Sequence, residues 1–293
     1  MPLAQLSNIQ LYYEITGEGF PLVFSHEFAG DFRSWDAQVK FFSRRYQVIT
    51  YNARGYPLSD VPQDVEAYSQ GQAVNDLYEL LRFLKIEQAH LAGLSMGGNA
   101  VLHFGLTHPH MARSLVVAGC GYGSTNREGW LKDVEQTAQR FEKEGMRAAA
   151  EFYTRGPARV QFLKKDPKGW QEFYEQFANH SATGSALTFR GVQLRRPSIL
   201  DLKAQLEQLT VPTLIMTGDE DEPCIEAAIF MKRHIPTAGL VVFPKTGHTL
   251  NLEEPDLFNR TILDFLTMVE SGKWLPRDPQ SLSASALLPT SRT

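Results

Sequence analysis

Cysteine is nearly absent from this 293-residue chain: only Cys120 and Cys224 occur, at a spacing that matches neither a zinc site nor a redox motif. A reducing compartment suits two such residues, which read as small buried apolar side chains. With no metal-ligand spacing anywhere, no metal and no cofactor is expected. A strong charge bias is missing too. The formal net charge of −4 comes with no basic face or binding motif, so nucleic acid is not an expected partner. Met1-Pro2-Leu3-Ala4-Gln5-Leu6 contains no basic leader, and no long apolar run follows. Neither a signal peptide nor a membrane anchor is expected, which leaves cytoplasm as the default compartment. Internal repeats and low-complexity tracts are also lacking. Nothing indicates an oligomer.

What the chain does have is an ordinary globular composition, 43% hydrophobic and 21% charged, in a length that suits one α/β sheet with an insertion as well as two domains. Ile9 to Ile15 alternates apolar and polar, Thr16-Gly17-Glu18-Gly19 supplies turn residues, and Pro21 to Ser25 is apolar, which predicts a β-hairpin. Trp35, Val39 and Phe42 fall at helical spacing, and Gln47 to Tyr51 reads as a strand. Ala73, Leu77, Leu80, Leu81 and Leu84 mark one amphipathic helix. Further strands are expected at Ala89–Ala92, Ser114–Ala118, Thr213–Thr217 and Leu240–Phe243, and a helix from Pro255 to Val269. Strands alternating with helices predict a mostly parallel central sheet flanked by helices on both faces. Between Ser124 and Leu209 the sequence turns charged, aromatic and helical in period, which predicts an inserted helical cap. The expected layout is a core of residues 1–123 and 210–275, a cap of 124–209 and a flexible tail of 276–293.

Gly93-Leu94-Ser95-Met96-Gly97-Gly98 joins the strand at Ala89–Ala92 to a helix from Asn99. The G-x-S-x-G spacing fits a sharp strand-to-helix turn that holds the serine hydroxyl out at the top of the sheet. A Gly-rich turn with an N-capping serine would share the spacing. A serine nucleophile needs a base. His248, in Lys245-Thr246-Gly247-His248 after the last strand, lies at the same sheet edge. His103, His108, His110, His180 and His234 read as solvated or capping residues, and His90 sits at the opposite edge. A carboxylate must fix the imidazole. Gly218-Asp219-Glu220-Asp221-Glu222 offers it, whereas Gly119 to Ser124 has none.

The elbow, the histidine loop with Glu253, Pro255, Phe258 and Asn259, and the turn Asn52-Ala53-Arg54-Gly55 together resemble the α/β-hydrolase superfamily, from about Ile9 to Val269. The resemblance implies an α/β-hydrolase fold and a triad of Ser95, Asp221 and His248, with Asp219 as a turn-capping alternative. It also implies an oxyanion hole from the amides of Met96 and Phe28, the latter in His26-Glu27-Phe28-Ala29-Gly30, where His26 would be structural. Asn52 and Glu27 depart from the family pattern of Asp and Gly. Glu27 is expected to turn away from the oxyanion and pair with Arg54 or Arg33. The alternatives are a solvated carboxylate or one that meets substrate together with Trp130, Phe152 and Tyr153 of the cap. The implied activity is that of a cofactor-independent serine hydrolase acting on a small molecule: an ester, thioester, lactone, or carbon–carbon bond beside a ketone. A perhydrolase or oxygenase sharing the triad, or a ligand-binding receptor without turnover, are the alternatives. Haloalkane and epoxide opening would need an aspartate at Ser95.

Overall fold

The structure, a computed structural model, describes residues 2–282. Its strands are β1 (Leu3–Gln5), β2 (Gln10–Thr16), β3 (Phe20–Ser25), β4 (Tyr46–Tyr51), β5 (Ala89–Leu94), β6 (Ala112–Ala118), β7 (Thr213–Gly218) and β8 (Ala238–Phe243). They form one sheet in the order β1-β2-β4-β3-β5-β6-β7-β8, parallel from β4 to β8, with β1 and β2 antiparallel. Every residue of β5 and β7 is buried, as expected of central parallel strands covered on both faces. The helices are α1 (Asp36–Phe42), α2 (Gln70–Phe83), α3 (Met96–Thr107), α4 (Arg127–Glu144), α5 (Met146–Thr154), α6 (Val160–Lys165), α7 (Pro167–Ala178), α8 (Ala182–Thr188), α9 (Lys203–Glu207), α10 (Glu222–His234), α11 (Leu250–Glu253) and α12 (Pro255–Glu270).

The apolar stripe of α2, with Leu77, Leu80 and Leu81 fully buried, packs one face of the sheet together with α3 and α10. Ser69 starts that helix by accepting from the Gln72 amide. Trp35 and Phe42 near α1, with Phe258, Ile262 and Phe265 of α12, cover the other face. Parallel strands separated by helices place every strand's carboxyl end along one edge, where the loops after β3, β5, β7 and β8 meet. A third apolar cluster lies beyond that edge. It joins Phe28 and Tyr56 of the core loops to Phe141, Phe173, Phe177 and Phe189 of the helical insertion between β6 and β7. The insertion contains no strand among the described residues, and its last turns include a π-turn over Phe189–Gln193.

One expected element is different. The runs before and after Gly17–Gly19 are not a hairpin, because β4 lies between β2 and β3. A Cβ on Gly17 would come within 2.3 Å of the Ser43 carbonyl oxygen, and one on Gly19 within 2.6 Å of that of Arg45. The turn therefore crosses over the chain entering β4 instead of closing a two-strand ladder. The antiparallel neighbour of β2 on its other side is β1, a strand too short to show a period.

Trp274 donates its indole N–H to the Thr237 carbonyl at 2.7 Å, and the Arg277 amide to Pro236 at 2.8 Å, holding this segment against the start of β8. The flexible tail expected over 276–293 lies, from residue 283 on, outside the described residues. Among those described, no helix is long and apolar enough to cross a membrane.

Candidate active site

Ser95 sits between β5 and α3 with φ +56° and ψ −110°, a backbone region unfavourable to a residue with a Cβ. The turn is tight enough to require glycine on both sides. A Cβ on Gly93 would lie 2.3 Å from the Gly97 carbonyl oxygen, and one on Gly97 2.0 Å from that of Ser25. The Ser95 amide donates to Ala118 at 2.8 Å, tying the turn to β6. Although Ser95 occupies the N-cap position of α3, its hydroxyl makes no capping hydrogen bond. The N-capping alternative is therefore not what holds it. The Met96 amide opens α3 and has no intrahelical acceptor available, so it presents a donor beside the serine.

His248 follows β8 on a loop folded around one carboxylate. Glu253 accepts from the Gly247 amide at 2.8 Å and from the Thr249 hydroxyl at 3.0 Å. His248 Nδ1 lies 2.7 Å from Asp221 Oδ2, with both side chains buried. Burial alone would push the Asp221 carboxyl up, but the charge of His248 and its hydrogen bond outweigh this and hold it below its ordinary value. Asp219 instead accepts from the Thr246 amide at 3.2 Å.

Cys224 lies behind this pair, 3.9 Å from His248 Nδ1, and donates to the Gly119 carbonyl. Asp221, Cys224 and His248 bring three potential metal-ligand atoms within 4.8 Å of one another. Their chemistry fits a hydrogen-bonded pair backed by a neutral thiol. Burial and the charge of Asp221 push the Cys224 thiol well above its ordinary value, while a metal ion needs a thiolate and would take the same Nδ1 and carboxylate that now bind each other.

The loop after β3 is set by His26. The Ala53 amide donates to His26 Nε2 at 3.0 Å, so the ring proton is on Nδ1, which donates to the Glu27 carbonyl at 2.7 Å. Burial lowers this imidazole to about 4, in keeping with a neutral ring. The Glu27 carbonyl also accepts from the Gly30 amide. Because a trans peptide is planar, fixing that carbonyl aims the Phe28 N–H the opposite way. Asn52, in place of the family's aspartate, accepts from the Phe32 amide and donates to the Pro57 carbonyl, both bonds shorter than 3.0 Å.

Glu27 pairs with neither Arg54 nor Arg33. Its partner is Arg159, from the loop before α6, and both side chains are 2% exposed. The two expected cations are held elsewhere, Arg54 bidentate on Asp76 and Arg33 on Asp31. The Glu27 backbone faces the core while its side chain meets the insertion, a contact that no sequence-local pairing could anticipate. His180 also departs from expectation. It is buried against Tyr56 and Phe177, with Nε2 3.5 Å from Asp31 Oδ2. His90 lies at the far end of β5, against the Ser114 hydroxyl at 2.7 Å.

Ser95 and His248 open into a cavity of about 400 Å³ between the sheet edge and the helical insertion. Phe28, Trp130, Phe152 and Tyr153 line it; Glu27 does not, although its partner Arg159 does. Sequence inspection missed Arg159, Gln193 and Arg196, which also line it. No signal could have found them, since the insertion is rich in arginine and most of these reach solvent. A wider depression of about 810 Å³ lies at the opposite end of the sheet around His90 and Glu270, away from Ser95.

The profile of the alpha/beta hydrolase fold family matches residues 21–255. The chain is 28% identical over 251 residues to 3-oxoadipate enol-lactonase 1 of Acinetobacter baylyi, covering 85% of this chain and 89% of that one. Among solved structures it is similar to the enol-lactonase from Burkholderia xenovorans LB400, with a TM-score of 0.81, 25% identity, and 91% and 100% of the two chains covered. It is likewise similar to an esterase from Exiguobacterium antarcticum, with a TM-score of 0.79, 26% identity, and 90% and 98% covered. With the sheet, the insertion and the profile in agreement, the chain belongs to the alpha/beta hydrolase fold family and is an enzyme of its serine-hydrolase kind.

Proposed function

We propose that the protein hydrolyses small esters or lactones through a covalent acyl intermediate on Ser95. The observation that carries this is Ser95 at a strained turn, its hydroxyl unused as a cap, opening into the same cavity as a histidine fixed by a buried carboxylate. The lactonases and the esterase to which the chain is similar support the choice of substrate.

In this reading the Ser95 hydroxyl attacks the carbonyl carbon and its proton passes to His248 Nε2. Asp221 accepts from Nδ1–H, which fixes the tautomer and stabilises the imidazolium. The amides of Phe28 and Met96 donate to the oxyanion, a contribution of about 3 kcal/mol per donor in comparable sites. Collapse returns the proton to the leaving alkoxide, or to the ring-opened alcohol of a lactone. Water, deprotonated by His248, then releases the acid and regenerates Ser95.

A panel of 4-nitrophenyl esters and lactones tests the proposal, with Ser95→Ala as its control. Turnover is expected in the wild type and a loss of several orders of magnitude in the variant, with folding intact by circular dichroism. Retention of a tenth of the rate would place the chemistry elsewhere. Loss of the wild-type rate on chelation, restored by a divalent ion, would reassign Asp221, Cys224 and His248 to a metal.

A further inference from the structure

The arginines of the helical insertion are mostly matched with carboxylates: Arg147 with Glu175, Arg155 with Glu151, Arg159 with Glu27, Arg190 with Glu135 and Arg195 with Glu66. Arg196 is different. It is only 4% exposed, lines the cavity that holds Ser95 and His248, and has no carboxylate partner among the described residues. Its Nη2 donates to the Tyr122 carbonyl at 2.9 Å, while Nη1 has no hydrogen-bond partner among those residues. The nearby ionisable groups supply no counter-charge. Asp221 is committed to His248 and Glu27 to Arg159, and burial keeps the thiols of Cys120 and Cys224 neutral. Arg127, which donates to the Arg196 carbonyl, adds positive charge, and Asp133 is exposed at the cavity's rim. Burial lowers the Arg196 guanidinium only to about 10, so it stays charged at neutral pH.

Burying a guanidinium without a counter-ion carries a large desolvation cost, which a bound anion offsets. Further buried donors without a partner among the described residues belong to residues lining the same cavity: the Trp130 Nε1–H, and the Nε and Nη1 of Arg159, whose charge is matched by Glu27. The spacing Phe189, Gln193, Arg196 also brings three residues of the π-turn region to the cavity, and π-turns recur at functional sites. We infer that Arg196 is a carboxylate-binding subsite, so that the preferred substrate is an ester or lactone carrying a carboxylate remote from the scissile carbonyl. This rests on the serine-hydrolase reading for the reaction, but not for the binding. Of the arginines that line the cavity, Arg140 and Arg159 have carboxylate partners and Arg196 alone has none among the described residues. One such charge matches a monoanion, which a carboxylate is at neutral pH, whereas a phosphate monoester carries nearly two negative charges. The remainder of the lining, with Phe28, Phe152, Tyr153 and Phe189, suits an apolar spacer between the two ends.

The test compares 4-nitrophenyl monoesters of the dicarboxylic acids from succinate to suberate with neutral esters of equal chain length. The wild type is expected to favour at least one anionic member in kcat/KM by about tenfold or more, mainly through KM. Arg196→Gln should collapse that ratio towards one, and Arg196→Lys should restore part of it. Calorimetric titration of the free dicarboxylates into the wild-type and variant enzymes reads the subsite without turnover. Saturable binding that Arg196→Gln weakens by a similar factor supports the inference, even if no ester is hydrolysed, in which case the reaction proposed above fails alone. Wild-type turnover of neutral esters with no anionic preference across the series would overturn the inference and leave the reaction standing. A preference that survives in Arg196→Gln would overturn it as well. Should Arg196→Gln not fold, the wild-type ratio and the wild-type isotherms decide.

Discussion

The edge of the sheet and the helical insertion above it hold their polar groups in opposite ways. At the edge, reactive side chains are placed by backbone: glycine approaches under 2.5 Å at Gly93 and Gly97, an amide to β6 behind Ser95, and a carboxylate wrapped by its own loop beneath His248. In the insertion, buried polar groups sit on the short turns between helices, beside an aromatic layer, and their partners lie far away in sequence, as with Arg159 on Glu27 and His180 near Asp31. Rigid backbone placement suits groups that must meet a developing charge to within a fraction of an ångström. Side chains on the turns of a separate insertion can be exchanged without disturbing that geometry. On the proposed reading, chemistry and selectivity fall to different parts of the chain.

The largest expected effect falls at the edge. Asp221→Asn should lower kcat by about four orders of magnitude, as loss of the tautomer-fixing acid does in other triads, while Asp219→Asn should cost far less. Equal losses in steady-state assays would erase the distinction between the residue that reaches His248 and the one that caps Thr246.

A smaller effect, on stability, is expected where the two regions meet. Glu27→Gln leaves the Arg159 guanidinium buried without its counter-charge, and chemical denaturation should show a loss of about 3–5 kcal/mol. An unchanged midpoint and slope would mean that the pair contributes nothing to the junction.

The smallest concerns Asp31 at the same junction. Burial would raise its carboxyl, but His180 and Arg33 overcome this and hold it well below the usual carboxylate range. A depressed carboxylate contributes stability above its unfolded pKa of about 3.9, and the contribution fades as pH falls towards the folded value. Asp31→Asn should therefore melt below the wild type at neutral pH, with the gap narrowing as pH falls below about 4. A gap that stays constant with pH would assign its effect to packing instead.

The same contrast decides what could be read from the sequence. The elbow, the base loop and the acid loop are local: each needs a few adjacent residues in a fixed order, so Ser95, Asp221 and His248 stand out together with the strands that carry them. The alternation of apolar strands with amphipathic helices likewise conveys the parallel sheet. The supposed hairpin at Gly17–Gly19 failed because turn residues reveal a reversal but not which strand enters between its arms. The partner of Glu27 and the burial of His180 and Arg196 were illegible for a related reason. Arg195 and Arg196 are chemically identical neighbours, yet one reaches Glu66 at the surface and the other lines the cavity, and only the packing of the insertion separates them.

The most direct test of the central claim, that Ser95 is a nucleophile activated by the His248–Asp221 pair, is intact-mass measurement after brief exposure to a fluorophosphonate probe. The wild type is predicted to gain a single adduct, mapping to the peptide that contains Ser95. Ser95→Ala should gain none, and His248→Gln should label slower by several orders of magnitude. A wild type that stays unlabelled, or an adduct that persists in Ser95→Ala, would contradict the claim.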